Sequence, residues 1–263
     1  MPSLIIDGNN ISYSSFYKAK KASLTLAAVV DNLLQKFHAY FKQYEGHSIY
    51  IVWDGEHGSQ WRKSIYPGYK KNRVRDPHHD LFIQSIVTLR EIFNHYPIYQ
   101  FSETSSEADD LIYVVAGLVE KPAIILSSDQ DMIQVAQRHH AMLINPAGEA
   151  FFPAFSWVRY RIIMGDRTDN IHPIRGLIPF VFEIIDDRMA VPEEFLKEYR
   201  LNKQLIDFEE FPLLAENTKY VEQELSKTLN NNTDTVFSLI SELKLVKAVK
   251  FWKNYKNIID GIA

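Results

Sequence analysis

Three short runs of apolar and β-branched residues in the first half of the chain share one arrangement. Each run stops at or just before an acidic residue: Leu4 to Ile6 before Asp7, Ile49 to Trp53 before Asp54, and Ala123 to Leu126 before Ser127-Ser128-Asp129. Short apolar runs bounded by turn residues predict buried β-strands. Two shorter runs, at 98–101 and 142–144, predict further strands.

Helix-length patterns separate these runs. Apolar residues recur at helical spacing over Leu24 to Tyr44, Leu81 to His95 and Glu107 to Glu120. At the start of the third helix, Ser106 and Asp109 have the spacing of a capping box. Strands that alternate with helices predict an α/β fold with a central, mostly parallel sheet and helices on both faces.

The second half of the chain has a different pattern. From about residue 155 the β-type runs stop, and the remainder reads as helices broken at Pro173, Pro179, Pro192 and Pro212. We therefore expect an α/β core over 1–154 and a helical C-terminal part over 155–263. The connection over 56–79 is unusually long, and such connections inside compact domains are usually functional.

Composition narrows the possible chemistry. The 263 residues are 46% hydrophobic, enough for a sizeable core, and no apolar run is long enough for a signal peptide or a membrane span. We therefore expect a soluble cytoplasmic protein with no membrane partner. Because the chain has no cysteine, disulfides, thiolate zinc sites and thiol nucleophiles are excluded, and a metal must be bound by oxygen or imidazole.

Acidic residues cluster at the predicted ends of strands and helices. Each acidic motif alone could be a plain turn or a helix start. Because parallel strands end at one edge of a sheet, however, we expect these carboxylates to converge in one crevice. Their mutual repulsion would be relieved by Mg²⁺ or Mn²⁺, and two such ions can hydrolyse a phosphodiester. The candidate metal ligands are Asp7, Asp54, Glu107, Asp109, Asp110, Asp129, Asp131, Asp166 and Asp169.

A basic stretch follows the second strand. Over residues 61–75 there is no acid, although the whole chain has a net charge of −4. The stretch contains Trp61, Arg62, Lys63, Tyr66, Tyr69, Lys70, Lys71, Arg73 and Arg75. A run of charges is often only a solvated loop. Because this one begins beside the acids, we interpret it as a nucleic-acid contact in which the cations bind phosphates and the aromatic rings stack on bases.

Seven motifs in this order resemble the flap endonuclease and 5′-to-3′ exonuclease superfamily, and within it the 5′ nucleases of T-even bacteriophages. The motifs are Asp7-Gly8-Asn9-Asn10, Trp53-Asp54-Gly55, Trp61-Arg62-Lys63, Tyr69-Lys70-Lys71-Asn72-Arg73, Glu107-Ala108-Asp109-Asp110, Ser128-Asp129-Gln130-Asp131 and Gly165-Asp166-Arg167-Thr168-Asp169-Asn170. The similarity covers roughly residues 3–180, and the ordered set is far more specific than any one motif.

The resemblance implies specific roles for these residues. Asp7, Asp54, Glu107 and Asp109 would surround one Mg²⁺ ion, and Asp129, Asp131, Asp166 and Asp169 a second, with Asp110 close by. Lys70 and Arg73 would contact the scissile phosphate, and residues 56–79 would begin an arch or bridge over the site. The expected activity is two-metal 5′-to-3′ exonuclease, flap endonuclease and ribonuclease H cleavage that removes RNA primers in DNA replication.

The expected partners are DNA and RNA:DNA hybrids with 5′ ends or flaps, bound as duplex by the helical C-terminal part. Whether a single-strand-binding protein or a sliding clamp is also a partner is left open. Among nucleic-acid contacts we include Arg175 and Gly176, the latter the one glycine left in the region of a duplex-binding hairpin. Pro173, Ile178 and Phe180 depart from that hairpin's pattern, which puts the hairpin and its monovalent-ion site in doubt.

Two other functions remain open on the residues alone. A haloacid-dehalogenase-type phosphatase would use Asp129 as nucleophile, Asp131 as acid and Asp166 at Mg²⁺, but it leaves Asp7, Asp54 and Glu107 unexplained. A non-catalytic protein that binds DNA structures would use the basic stretch while the acids form ion pairs.

Overall fold

A computed structural model describes residues 1–19 and 25–262. Its centre is a five-stranded sheet of β1 (Ser3–Asp7), β2 (Ser48–Val52), β3 (Tyr99–Phe101), β4 (Ala123–Leu126) and β5 (Met142–Ile144). Every strand pairing is parallel, and the order across the sheet is β3-β2-β1-β4-β5. The α/β fold class and the five predicted strands are thus confirmed, with ends that differ by no more than one residue.

Helices connect and follow the strands. In the described part of the chain they are α1 (Gly8–Ala19), α2 (Leu26–Gln43), α3 (Gln60–Ile65), α4 (His79–Phe93), α5 (Ala108–Leu118), α6 (Met132–His139), α7 (Trp157–Met164), α8 (Val181–Ile185), α9 (Leu196–Ile206), α10 (Leu214–Leu225), α11 (Thr233–Glu242), α12 (Val246–Lys250) and α13 (Trp252–Asp260). Short 3-10 helices lie at Arg175–Phe180, Glu193–Phe195 and Phe208–Glu210. No helix within 1–19 or 25–262 is both long and apolar enough to cross a membrane.

The sheet divides the core into two layers, because successive side chains of a strand point to opposite faces. Leu4 and Ile6 pack on one face in a cluster that includes Phe37 of α2 and Trp53. Ile5 packs on the other face with residues of α5 and α6. Both layers are therefore closed by helices, as an all-parallel sheet requires.

Two local predictions at element ends were wrong. The segment after Asp7 is the start of α1 and not a plain turn, because the Asp7 carboxylate accepts the backbone N–H of Asn10 at 3.0 Å and so caps the first turn. Gly8 lies so close to Trp53 that the ring would be 2.4 Å from a Cβ at residue 8. The capping box of α5 is shifted by one residue from Ser106 to Glu107, whose backbone N–H donates to Asp110 at 3.1 Å. Leu24, which was predicted as the first residue of the helix observed as α2, lies outside the described residues.

Beyond residue 155 the described chain consists of helices and turns. Its last helices complete the two core layers: Val221 of α10 is buried in the layer of α5, and Val236 and Ile259 in the layer of α2. Packing is therefore continuous across the predicted boundary at 154/155, and the division into two parts stays a prediction. Pro179 was expected to break a helix but lies inside the 3-10 helix Arg175–Phe180.

Candidate active site

The carboxyl edge of the sheet brings together acids from separate strands. Asp7 is the last residue of β1, whose two neighbours in the sheet are β2 and β4. Its carboxylate accepts the backbone N–H of Asn10 at 3.0 Å and the hydroxyl of Ser127 at 2.8 Å. The carboxylate of Asp54 accepts the backbone N–H of Ala108 at 2.9 Å. The strand order reverses between β1 and β4, and such switch points are where ligands bind in open α/β sheets.

Electrostatics show that these carboxylates act on one another. Burial raises the pKa of Asp7 to about 7, and the charges of Asp54 and Asp129 add to the shift. Burial also raises the pKa of Asp109 well above its ordinary value, with Asp129 and Asp7 contributing. Within the described chain the Asp109 carboxylate has no hydrogen bond and no ion pair. A group of mutually repelling acids therefore lies at this edge, as the sequence predicts.

Arg62 occupies a position that the sequence does not predict. It is buried, 2% exposed, and its guanidinium donates to Glu107 at 2.8 Å and to both oxygens of Asp110 at 2.6 and 3.0 Å. It also donates to the carbonyl of Leu205 at 3.0 Å. Arg62 therefore ties α3 to α5 instead of facing outward toward nucleic acid, and Asp110 faces an arginine instead of open space.

Residues at the centre of the basic stretch contact the acidic side chains directly. The Lys70 ammonium forms an ion pair with Glu107 and lies 3.6 Å from Asp169. The Tyr69 hydroxyl lies within hydrogen-bond distance of both Glu107, at 2.9 Å, and Asp169, at 2.8 Å, and Arg73 contacts Asp169 at 2.5 Å. Although burial opposes it, the charges of Lys70 and Arg62 lower the pKa of Glu107 to about 2. These cations act as internal counterions for one side of the cluster.

Backbone contacts fix this arrangement. The Lys70 N–H donates to the carbonyl of Asp169 at 2.9 Å, and the Asn170 side chain donates to the carbonyl of Gly68 at 2.8 Å. Asn72 donates to the carbonyl of Arg167 at 2.8 Å. The basic stretch and the loop 165–171 therefore hold each other across about a hundred residues of sequence, with the acids between them.

A second group of acids surrounds Arg161, a residue that the sequence analysis missed. Its guanidinium contacts Asp131 at 3.2 Å and forms an ion pair with Asp166. Burial raises the pKa of Asp131 to about 7, with Asp129 contributing and Arg161 opposing. The sequence does contain a signal for this contact. Arg161 lies in a segment predicted as helix, one helical turn before Gly165-Asp166, and residues one turn apart lie on the same face.

The other expected nucleic-acid contacts are dispersed. Lys63 and Lys71 are exposed, and Arg75 forms an exposed ion pair with Asp80 at 2.6 Å. Trp61 is half-buried and packs on Phe211 with ring centroids 5.3 Å apart. Arg175 is exposed and begins the 3-10 helix that stands where a glycine hairpin was in doubt. Gly176 packs under Phe195, whose ring would lie 2.2 Å from a Cβ there.

The donor chemistry of the site fits hard divalent cations. Among the described residues no group of three or more acidic or histidine side chains is gathered as a formed metal centre. Four of the nine acids, Asp7, Asp54, Asp109 and Asp129, nevertheless make no ion pair in that part of the chain, and burial raises the pKa of each. Carboxylates that lie close enough to repel one another are the oxygen donors that Mg²⁺ or Mn²⁺ would stabilise.

Comparison with known proteins agrees with this geometry. The sequence profile for the 5′-3′ exonuclease, N-terminal resolvase-like domain matches residues 2–156. A 5′-3′ exonuclease of Buchnera aphidicola is 27% identical over 193 residues, covering 65% of this chain and 64% of that protein. The thermostable DNA polymerase I of Thermus thermophilus is 25% identical over 189 residues, covering 66% of this chain and 22% of the polymerase. The match therefore spans only about a fifth of the polymerase.

Solved structures share the fold. A complex of the bacteriophage T5 D15 flap endonuclease with DNA and metal ions aligns with a TM-score of 0.66 and 16% identity, over 86% of this chain and all of that one. The catalytic core of Rad2 with a DNA substrate aligns with a TM-score of 0.50 and 14% identity, over 98% of this chain and 92% of that one. The fold, the position of the acids and the profile match agree, and the chain belongs to the family of 5′-3′ exonucleases defined by this N-terminal resolvase-like domain.

Proposed function

We propose that this protein is a metal-dependent 5′ nuclease that cleaves phosphodiesters of duplex DNA, RNA:DNA hybrids and 5′ flaps. The observation that carries the proposal is the convergence of the carboxylates of Asp7, Asp54, Asp109 and Asp129, none of which makes an ion pair with a described residue, beside the cations of Lys70 and Arg73. We further propose that the protein acts in the cytoplasm during DNA replication, removing RNA primers in a phage-infected host. A single-strand-binding protein or a sliding clamp would be a partner in that process.

The proposed metal ligands form two groups. Asp7, Asp54, Glu107 and Asp109 would hold one Mg²⁺, and Asp129, Asp131, Asp166 and Asp169 the other, with Mn²⁺ as a substitute. Bound there, the two ions would supply a water nucleophile at neutral pH and stabilise the leaving oxygen. Asp110 would act indirectly, because its carboxylate is held by Arg62 and its role is to position the start of α5.

Cations of the chain would position the substrate. Lys70 and Arg73 form ion pairs with carboxylates that the metal ions would bind instead. Once released from these carboxylates, the two cations would bind the scissile phosphate. Charge-assisted contacts of this kind favour negative charge that develops in the transition state. Exposed Lys63 and Lys71 would bind the single-stranded 5′ end as it approaches.

Substitution of single acids tests the proposal. Asp131→Asn and Asp166→Asn should slow single-turnover cleavage of an end-labelled 5′-flap DNA in Mg²⁺ by at least about a hundredfold. Affinity for the same DNA in chelator should stay equal or rise, because each change removes a negative charge. Asp186→Asn is the matched control, since Asp186 is exposed and its one ion pair among the described residues is with Arg188. Cleavage rates near that of the control in both variants would remove the two acids from the site.

One observation favours a second candidate, a non-catalytic protein that binds DNA structures. Glu107, Asp110, Asp131, Asp166 and Asp169 all make ion pairs with cations of the chain. In this reading the acids only hold the basic stretch in place. Flap DNA that binds tightly but is unchanged after incubation with Mg²⁺ or Mn²⁺ would favour this candidate.

A further inference from the structure

Arg62 lies at the junction of three segments of the chain. Its Nε donates to the carbonyl of Leu205 in the last turn of α9. Its Nη1 donates to Glu107 and Asp110 at the start of α5, and its Nη2 donates to Asp110. The buried guanidinium therefore uses four of its five N–H donors within the protein, which fixes its orientation.

The two oxygens of the Glu107 carboxylate have different surroundings. Oε2 lies 2.8 Å from the Arg62 guanidinium and 2.9 Å from the Tyr69 hydroxyl. Oε1 forms the ion pair with the Lys70 ammonium, which also lies 3.6 Å from the Asp169 carboxylate. Oε2 is therefore bound by buried groups, whereas Oε1 faces the acids of the candidate site.

The contacts of Arg62 restrain both the side chain and the backbone of Glu107. The side chain could swing about several bonds, but such a motion would break the hydrogen bond from the guanidinium to Oε2. The backbone N–H of Glu107 donates at 3.1 Å to the Asp110 carboxylate, which the same guanidinium holds through both oxygens. The position of Glu107 therefore depends on Arg62 in two ways.

We propose that Arg62 is a positioning residue that fixes the Glu107 carboxylate so that Oε1 is presented to a divalent cation at the candidate site. The inference rests on the proposed metal-dependent function, in which Glu107 is a ligand. Ligating carboxylates are typically oriented by hydrogen bonds from surrounding groups, whose loss costs about ten- to a hundredfold in metal affinity or activity. Lysine could not make the same set of contacts, because an ammonium lacks the planar fork of a guanidinium.

Charge and geometry predict opposite effects of Arg62 on a bound metal. A guanidinium beside a cation site repels the metal, so removal of the charge alone should tighten metal binding. Loss of the orientation of Glu107 should weaken it. Because Arg62→Lys keeps the charge and removes the planar fork, its effect on metal affinity reports on orientation.

The test is Mn²⁺ binding to the DNA-free protein, followed by the electron paramagnetic resonance signal of free Mn²⁺. We expect Arg62→Lys to weaken one of the two proposed Mn²⁺ sites by about tenfold and to leave the other unchanged. The Mg²⁺ concentration for half-maximal cleavage of a 5′-flap DNA should rise by a similar factor, and the rate at saturating Mg²⁺ should change less.

Asp31→Asn is the control for a general loss of stability. The buried Asp31 carboxylate accepts the backbone N–H groups of Lys247 and Ala248, each at 2.8 Å. Asp31 belongs to α2, which packs on the opposite sheet face from α5. This control should therefore keep the wild-type Mn²⁺ affinity even though it disturbs buried hydrogen bonds.

A double-substitution cycle tests whether Arg62 acts through Glu107. In a Glu107→Gln background, Arg62→Lys should change Mn²⁺ affinity by less than about twofold, because the two effects are then not additive. Arg62→Met is a second measurement in case lysine prevents folding at this buried position. Loss of charge alone would tighten Mn²⁺ binding in that variant, whereas loss of orientation should weaken it.

Wild-type Mn²⁺ affinity in Arg62→Lys would overturn the inference. Equal losses in the wild-type and Glu107→Gln backgrounds would also overturn it, because Arg62 would then act on the fold and not through Glu107. A wild-type protein that binds no Mn²⁺ would contradict the inference and the metal-dependent function together. A protein that shows the expected Mn²⁺ affinities but leaves flap DNA intact would contradict only the proposed nuclease.

Discussion

Individual carboxylates of the candidate site differ in what holds them, and this decides how each can act. Glu107 is fixed by Arg62 and Lys70, and the charges of both keep its pKa low. Asp109 has no such partner among the described residues, and burial raises its pKa. One side of the cluster is therefore neutralised by the chain itself, whereas the acids of the other side make no ion pair with a described residue.

Lys70 and Lys71 should separate catalysis from binding. Lys70→Ala removes a cation that lies between Glu107 and Asp169, so single-turnover cleavage should fall by about a hundredfold or more. Lys71→Ala removes an exposed cation and should weaken DNA affinity with little change in the rate at saturation. Rate and affinity measured on one flap substrate make the comparison, and equal, small effects of both substitutions would reduce the basic stretch to a general electrostatic surface.

The sequence predicted which acidic and basic residues form the candidate site, but not which side chains form ion pairs with one another. The acidic motifs follow strand ends, so their convergence could be predicted from the topology of a parallel sheet. Arg62 reaches Asp110 across 48 residues and the carbonyl of Leu205 across 143, and no local pattern encodes such contacts. The sequence does not distinguish a buried arginine from an exposed one, so Arg62 was grouped with cations that do face solvent.

At the scale of elements, buried polar residues join helices that are distant in sequence. Arg62 joins α3 to α5, and its removal would leave the buried carboxylates of Glu107 and Asp110 with less compensation. Breaking a buried ion pair from one side typically costs about 3 to 5 kcal/mol. His38 is a further buried polar residue of this kind, and it joins α2 to the turn after α4 and to α13 through its contacts with Tyr96 and Tyr255.

The Arg62 pair can be tested by denaturation. Arg62→Met should lower the free energy of unfolding in urea by about 3 kcal/mol or more. Arg75→Met is the control, because Arg75 and Asp80 form an exposed pair whose loss should cost less than about 1 kcal/mol. Similar losses in the two variants would show that the Arg62 cluster adds no more than a surface pair.

His38 should make stability depend on acid pH. Burial lowers its pKa from 6.5 to about 4. Between these values the unfolded chain binds a proton that the folded chain does not, so the contribution is full above pH 6.5 and is lost as pH falls toward 4. The loss amounts to about 3 kcal/mol at most.

Urea unfolding of wild type, His38→Phe and the exposed control His57→Gln at several pH values measures this contribution. The Phe variant should be less stable at neutral pH, and its stability should fall less steeply between pH 6.5 and 4 than that of wild type. The control should follow the wild-type curve. Parallel curves for wild type and His38→Phe would contradict a depressed pKa at this position.

Helices and strands were predicted correctly where the spacing of the hydrophobic residues and the length of the segment indicated the same type of element. The strands were short runs of Ile, Leu and Val between turn residues, and α2, α4 and α5 had long apolar stripes. α1 was missed because Asp7-Gly8-Asn9-Asn10 has turn composition, although Asp7 caps the helix by accepting the backbone N–H of Asn10. The short 3-10 helix Arg175–Phe180 was missed because a proline inside it suggested a break.

At the scale of the whole molecule, the site is assembled from both halves of the chain. Strand ends supply Asp7, Asp54 and Asp129, whereas the loop 165–171 supplies Asp166 and Asp169 and is bound to the basic stretch. The helices after residue 213 close both core layers. The molecule thus brings acids and cations from both halves of the chain together at one edge of the sheet.

The most direct test of the central claim is cleavage of one 5′-flap DNA labelled in turn at its 5′ and 3′ ends, with Mg²⁺ and with excess chelator. We expect that short products carry the 5′ label, that the 3′-labelled strand loses nucleotides from its 5′ side, and that chelator abolishes both. Products that shorten from the 3′ end, cleavage that persists in excess chelator, or DNA left intact at every Mg²⁺ and Mn²⁺ concentration would contradict it.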